Sequence, residues 1–119
     1  MERDKFEKFV DEAILPEIKK LRVAKGTNYS GKEDYLRNFK TIGNELKISP
    51  EKVLWTYFKK HIDAIHSYIV GEYVDDTEPI NRRIYDAINY LILLLGIVLE
   101  TNPDKIDKEL VDNFYKKEN

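Results

Sequence analysis

Apolar residues recur at helical spacing along the whole chain. Between residues 3 and 25, Phe6, Phe9, Val10, Ala13, Ile14, Ile18 and Leu21 fall three or four apart, the period of an amphipathic helix. Pro16 sits inside this run. Proline lacks a backbone donor and its ring crowds the preceding turn, so a kink or break is expected near Leu15. Gly26 is the expected end. The stretch 26–32 is rich in Gly and Asn, which supply the positive-φ conformations that loops use. A second helix is predicted over 33–47, with Leu36, Phe39, Ile42 and Leu46 on one side. Gly43 weakens it by about 1 kcal/mol relative to alanine.

Three later helices open on similar signals. Ser49-Pro50-Glu51 offers a capping hydroxyl, a proline suited to the first turn and an acid at the positive dipole end. Thr77-Glu78-Pro79 and Asn102-Pro103-Asp104 follow the same logic. The third helix is expected to reach residue 70, with Leu54, Phe58, Ile62, Ile65 and Ile69 as its apolar stripe, before a polar break over 71–76. In the fourth, Ile80, Ile84 and Ile88 are expected to face inward, and residues 90–99 are apolar on every side. A helix that is hydrophobic all round must be surrounded. So small a chain has few neighbours to cover it, and a homo-oligomeric interface is predicted. The last helix carries Ile106, Leu110, Val111 and Phe114. No strand pattern, linker or repeat interrupts this series. The reading is an all-α helical bundle of about five helices, with residues 1–119 forming a single helical domain.

Composition narrows the functional classes. At 119 residues and 42% hydrophobic the chain can bury a core. Twenty basic against 22 acidic residues leave a formal charge of −2. That balance argues against broad nucleic-acid binding, which needs a basic excess. It permits one cationic pocket, for which Lys59, Lys60, Arg82 and Arg83 are the natural contributors. The absence of cysteine excludes disulfides, zinc–thiolate sites, iron–sulfur clusters and a cysteine nucleophile. The N-terminus is charged, without the apolar core of a signal peptide. The apolar run 87–99 is shorter than the roughly 20 residues of a membrane span. No membrane partner and a cytoplasmic location are expected.

Three constellations could carry chemistry. The loop between Lys25 and Lys32 offers backbone N–H groups and two cations, suited to a phosphate. It is not a P-loop, because Gly31-Lys32 is followed by Glu33, and an ordinary helix connection fits it too. The third helix carries Lys59, Lys60, His61, Asp63 and His66. Lys59 and Asp63 are spaced for an ion pair on one face, which is also what a solvated face looks like. The histidines are badly spaced for a shared metal. The fourth helix carries Glu78, Arg82, Arg83, Asp86, Asn89 and Tyr90, with Arg82, Asp86 and Asn89 on one stripe leading into the apolar half. Polar groups beside a buried segment need partners, either a ligand or a facing helix. If the third and fourth helices are antiparallel neighbours, His61 and Asp63 lie level with Asp86 and Asn89 in a bundle-core pocket.

The order of motifs resembles a known family. Lys25 to Tyr29, Leu36-Arg37-Asn38-Phe39, Ser49 to Leu54, Lys60 to Ile65, and Glu78-Pro79-Ile80 leading to residues 83–91 look like small phage and prophage all-α proteins. Those are related to the nucleotide-modification-associated domains and are similar in layout to MazG-type nucleoside triphosphate pyrophosphatases. The resemblance covers roughly residues 25–100. It implies a helical protein that handles nucleotides, with ligand near Lys60, His61, Asp63, Glu78, Arg83, Asp86 and Asn89, in the cytoplasm of the host cell if the chain is phage-encoded. The MazG-type enzymes bind magnesium through an EExxE helix and a later ExxD. Here EExxE is missing, one ExxD (Glu72 to Asp75) falls in the polar break, and the other (Glu109 to Asp112) lies outside the matched region. A loop position acidic in the family is Asn28.

Three functions follow as expectations. In the first, the chain binds a small nucleotide. Lys25, Lys59, Lys60, Arg82 and Arg83 would hold phosphates, and Tyr29, Trp55, Tyr57 or Tyr90 would stack on a base; a phage protein of this kind could sequester a host nucleotide signal. In the second, it is a magnesium-dependent pyrophosphatase with Asp63, Glu78 and Asp86 as metal ligands and His61, Asp63 and Asp86 as catalytic candidates. In the third, it is a structural or adaptor protein whose polar stripes are salt bridges.

Overall fold

Helix follows helix in the computed structural model, which describes residues 1–29, 34–72 and 78–118, the side chains of 26–29 and 118 excepted. The elements are α1 (Arg3–Phe9), a π-helical turn (Val10–Ile14), α2 (Leu15–Tyr29), α3 (Arg37–Leu46), α4 (Pro50–Ile69), α5 (Ile80–Thr101), a 3-10 turn (Pro103–Lys105) and α6 (Lys108–Glu118). No strand occurs among the described residues, and the fold is an all-α helical bundle of five rods.

The first rod shows how proline is accommodated. The helical backbone does not break at Pro16. A π-turn sits immediately before it, widening the backbone where the proline ring would crowd the carbonyl one turn back. The rod also runs through Gly26 to Tyr29. Glycine costs a helix about 1 kcal/mol but does not forbid it, so it is a weaker stop than expected.

α3 starts later than the apolar pattern suggests. The Asp34 carboxylate accepts the Leu36 backbone N–H at 2.9 Å, and the Arg37 N–H bonds to the Asp34 carbonyl at 3.2 Å. This turn holds the chain until Arg37. α3 ends at Lys47 in the left-handed region (φ 60°), and the Ile48 N–H returns to the Gly43 carbonyl at 3.0 Å. A Cβ on Gly43 would stand 2.8 Å from the Ile48 carbonyl oxygen, so only glycine lets this corner close. α4 opens as its sequence predicts: Ser49 Oγ accepts the Lys52 N–H at 3.2 Å, and Pro50 is the first helical residue.

The core lies between α3, α4 and the second half of α5. Leu36, Phe39, Val53, Leu54 and Ile97 are buried together, flanked by Ile42, Ile48, Phe58, Tyr90, Leu93 and Leu94. α4 packs on α5 and α3, and α2 lies along α5. Two expected faces are corrected. α4 turns Val53, Leu54 and His61 inward and leaves Ile62 and Ile69 exposed. In α5, Ile84 points out, and the buried residues of its first half are Asp86, Ala87 and Asn89. Past residue 90, Ile97 is buried but Leu91, Ile92 and Leu95 are exposed, Leu95 by 61%. The chain thus covers α5 on one side only. Among the described residues α5 is the one helix long and apolar enough to cross a membrane by length and composition. Asn102-Pro103-Asp104 opens a 3-10 turn, and α6 begins only at Lys108.

Candidate functional site

A cavity of about 510 Å³ opens where α2, α3, α4 and α5 meet. α2 contributes Arg22 and Lys25, and α4 contributes Tyr57, Lys60 and His61. α5 contributes Arg83, Asp86, Asn89, Tyr90 and Leu93, with Glu78 two residues before its start. Asn38 and Phe39 of α3, and Tyr35 before it, close the remaining wall.

The buried polar stripe of α5 is partnered chiefly by α2. Lys25 Nζ donates to Asp86 Oδ1 at 2.6 Å, and the Asp86 side chain is only 7% exposed. Asn89 is used at both ends: Nδ2 donates to the Ile18 carbonyl at 3.0 Å, and Oδ1 accepts from Arg22 Nη1 at 3.1 Å. Buried polar groups must find such partners. Asn89 therefore positions α2 rather than reaching into the cavity with a free amide. Nearer the mouth, Arg83 Nη2 pairs with Glu78 Oε2 at 3.0 Å.

His61 is buried against this network. Its Nδ1 lies 3.9 Å from Asp86 Oδ2 and makes no hydrogen bond. Burial lowers the imidazole pKa from its ordinary 6.5; the Asp86 carboxylate opposes this, while Arg83, Lys25 and Lys60 push the same way as burial. The ring is neutral at pH 7, with three cations, Arg83, Lys25 and Lys60, converging on it.

The apolar part of the wall is aromatic. Tyr57 and Tyr90 lie parallel to within 2°, with centroids 6.5 Å apart. Phe39 stands edge-on to both, at 6.3 and 6.5 Å. His61 tilts against Tyr90 at 5.3 Å. Parallel π-faces beside cations suit a planar ring that carries an anionic group.

Of the residues singled out in the sequence, Lys25, Lys60, His61, Glu78, Arg83, Asp86 and Asn89 line this one cavity, with Tyr57 and Tyr90. Lys59 and Asp63 do not. They pair with each other at 2.9 Å on the exposed side of α4, because two residues along a helix turn a side chain by about 200°, away from His61. Arg82 is exposed on α5 and lines no wall. Trp55 is exposed against Phe58, away from the cavity. The Tyr29 side chain lies outside the described residues. Arg22, Tyr35 and Asn38 are cavity residues that sequence reasoning missed. Arg22 and Lys25, three apart on one helix face, were a signal that went unused.

The magnesium site implied by the resemblance does not fit. Asp63 is on the far side of α4, Asp86 is engaged by Lys25, and Glu78 by Arg83. Among the described residues no three His, Asp or Glu side chains are grouped to hold a metal. Glu78, Asp86 and His61 share the cavity, but Asp63 is not brought to them, so neither the ligand set nor the catalytic set is assembled complete. What the cavity can do is bind an anion with a flat apolar portion. Compared with known proteins, the chain matches no family model, no curated protein and no solved structure.

Proposed function

We propose that this chain binds a small phosphate-bearing nucleotide in the cavity between α2 and α5. In this reading it works as a helical homo-oligomer and holds its ligand intact, as a phage-encoded protein sequestering a host nucleotide signal in the host cytoplasm would. It needs no membrane partner and no broad nucleic-acid face. The resemblance to small phage nucleotide-modification-associated proteins belongs to the same proposal.

One observation carries it. Arg22, Lys25, Lys60 and Arg83 surround a cavity whose apolar wall is the parallel pair Tyr57 and Tyr90. Arginine and lysine bind phosphate oxygens through charge-assisted hydrogen bonds. Stacking on tyrosine contributes about 1–3 kcal/mol per base.

The test is incubation of the purified chain with nucleoside triphosphates and mono- and dinucleotides, with and without magnesium, followed by release and chromatography. Intact recovery of a bound nucleotide is the expected result. Turnover that Asp86→Asn abolishes would support a MazG-like pyrophosphatase instead. Failure of every nucleotide to bind would favour the third reading, a structural helical protein. That reading draws its support from Asn89, whose two polar ends are both used inside the fold.

A further inference from the structure

The charges in the cavity do not all serve the fold. Lys25 is matched by Asp86 and Arg83 by Glu78. Among the described residues Arg22 bonds only the neutral amide of Asn89. Lys60 lines the cavity without an ion pair to any described residue. Two positive charges are therefore left uncompensated among the described residues. Beside them, the buried Nδ1 of His61 has no hydrogen-bond partner, an unusual state for a buried polar atom that is not awaiting one.

Resting on the nucleotide-binding reading above, we infer that the ligand is a nucleotide carrying two negative charges, recognised without a divalent cation. A nucleoside triphosphate carries more negative charge and is usually held with Mg²⁺ shared between its phosphates and protein carboxylates. Here both cavity carboxylates already neutralise a cation, and the third candidate, Asp63, is outside. Metal sharing would have to break the Lys25–Asp86 or the Arg83–Glu78 pair. A dianion matches the two uncompensated charges of the described residues and leaves both pairs intact. The chemistry is shared by a nucleoside monophosphate and by a cyclic dinucleotide with two phosphodiesters. In either, the base lies on Tyr57 and Tyr90 while Arg22 and Lys60 take the phosphate charge.

The deciding experiment is calorimetric titration of the full chain with nucleoside monophosphates, cyclic dinucleotides and nucleoside triphosphates, each in EDTA and in excess Mg²⁺. Dianionic nucleotides should bind with the same affinity in both buffers, and triphosphates in EDTA about tenfold more weakly. Whichever dianionic arm is tighter identifies the source. Lys60→Met should weaken that ligand about tenfold, while Lys59→Met, outside the cavity and paired with Asp63, leaves it unchanged. Lys60 is an exposed side chain, so its loss does not threaten folding as loss of Arg22 could. Tighter binding of triphosphate, or a tenfold gain from Mg²⁺, would overturn the dianion proposal and leave nucleotide binding standing. If no nucleotide of any class binds, both readings fall.

Discussion

Lys47 closes α3 with φ at 60°, a conformation that costs an L-residue roughly 1 kcal/mol and glycine almost nothing. Lys47→Gly should raise stability by about 0.5–1 kcal/mol, read as a higher urea midpoint; an unchanged or lower midpoint would show that the lysine side chain compensates. His61 gives a pH signature. Its folded pKa lies below the unfolded value of 6.5, chiefly through burial. The stabilising contribution is full above 6.5 and is lost as pH falls through the folded value, because the unfolded chain takes up the proton first. Urea midpoints at pH 7.5 and 5.5 should therefore differ, and the difference should shrink in His61→Gln. An equal drop in the variant would assign the pH dependence elsewhere. Asp34 and Lys40 titrate outside this window. The hydrogen bond from Lys40 holds the Asp34 carboxyl below its ordinary range, and the bonds to Glu100 and then Asp34 hold Lys40 above its own.

At the level of elements, the seam between α2 and α5 depends on Asn89. Asn89→Leu removes partners from the Ile18 carbonyl and the Arg22 guanidinium together. The expected cost is about 1–3 kcal/mol, with hydrogen exchange accelerating along α2 more than along α3 or α4. Uniform acceleration would mean that Asn89 supports the whole bundle equally. This seam also shows what could be seen in advance. The start of α4 was legible because Ser49, Pro50 and Lys52 act within one turn. The α5 stripe was legible as polar and unusual, but not its partner. Ile18 and Asn89 are 71 positions apart, and no local pattern announces such a contact. The expected core face of α4 held at Leu54 and Phe58 and failed at Ile62 and Ile69 for a related reason. Hydrophobicity alone ranked Ile62 and Ile69 as buried, yet the covering helix lies over His61. Nine of the fourteen residues lining the cavity are ones the sequence singles out as polar groups beside apolar ones or as aromatic faces. Sequence proximity to His61 says nothing about helical angle, and Asp63 and Lys59 fall on the exposed side of α4.

As a whole molecule the chain is loosely gathered. Its radius of gyration is 16.6 Å, against about 13.5 Å for a compact domain of this length. The excess lies in the arms. α1 rests mainly on the π-turn that continues it, and Phe6, Phe9, Leu110 and Phe114 are exposed on α1 and α6. Together with Leu91, Ile92 and Leu95 on α5, these surfaces are more apolar than an isolated small domain usually presents. The proposed homo-oligomer accounts for them. Light scattering should give more than one copy per particle, and Leu95→Glu should lower the mass while circular dichroism stays helical. A monomeric parent chain would remove that proposal.

The π-turn fixes which way one of those arms faces. In angular terms it is a single-residue insertion into an otherwise regular rod, and each residue advances a helix by about 100°. Were residues 10–14 wound as ordinary α-helix, each would advance by that full step instead of the smaller one of the wider turn. The aromatic edge formed by Phe6 and Phe9 would then swing by about a quarter turn relative to Ile18 and Arg22. The direction in which this chain offers its first helix to a neighbour is therefore set by how one turn is wound and not by the chemistry of any side chain on it.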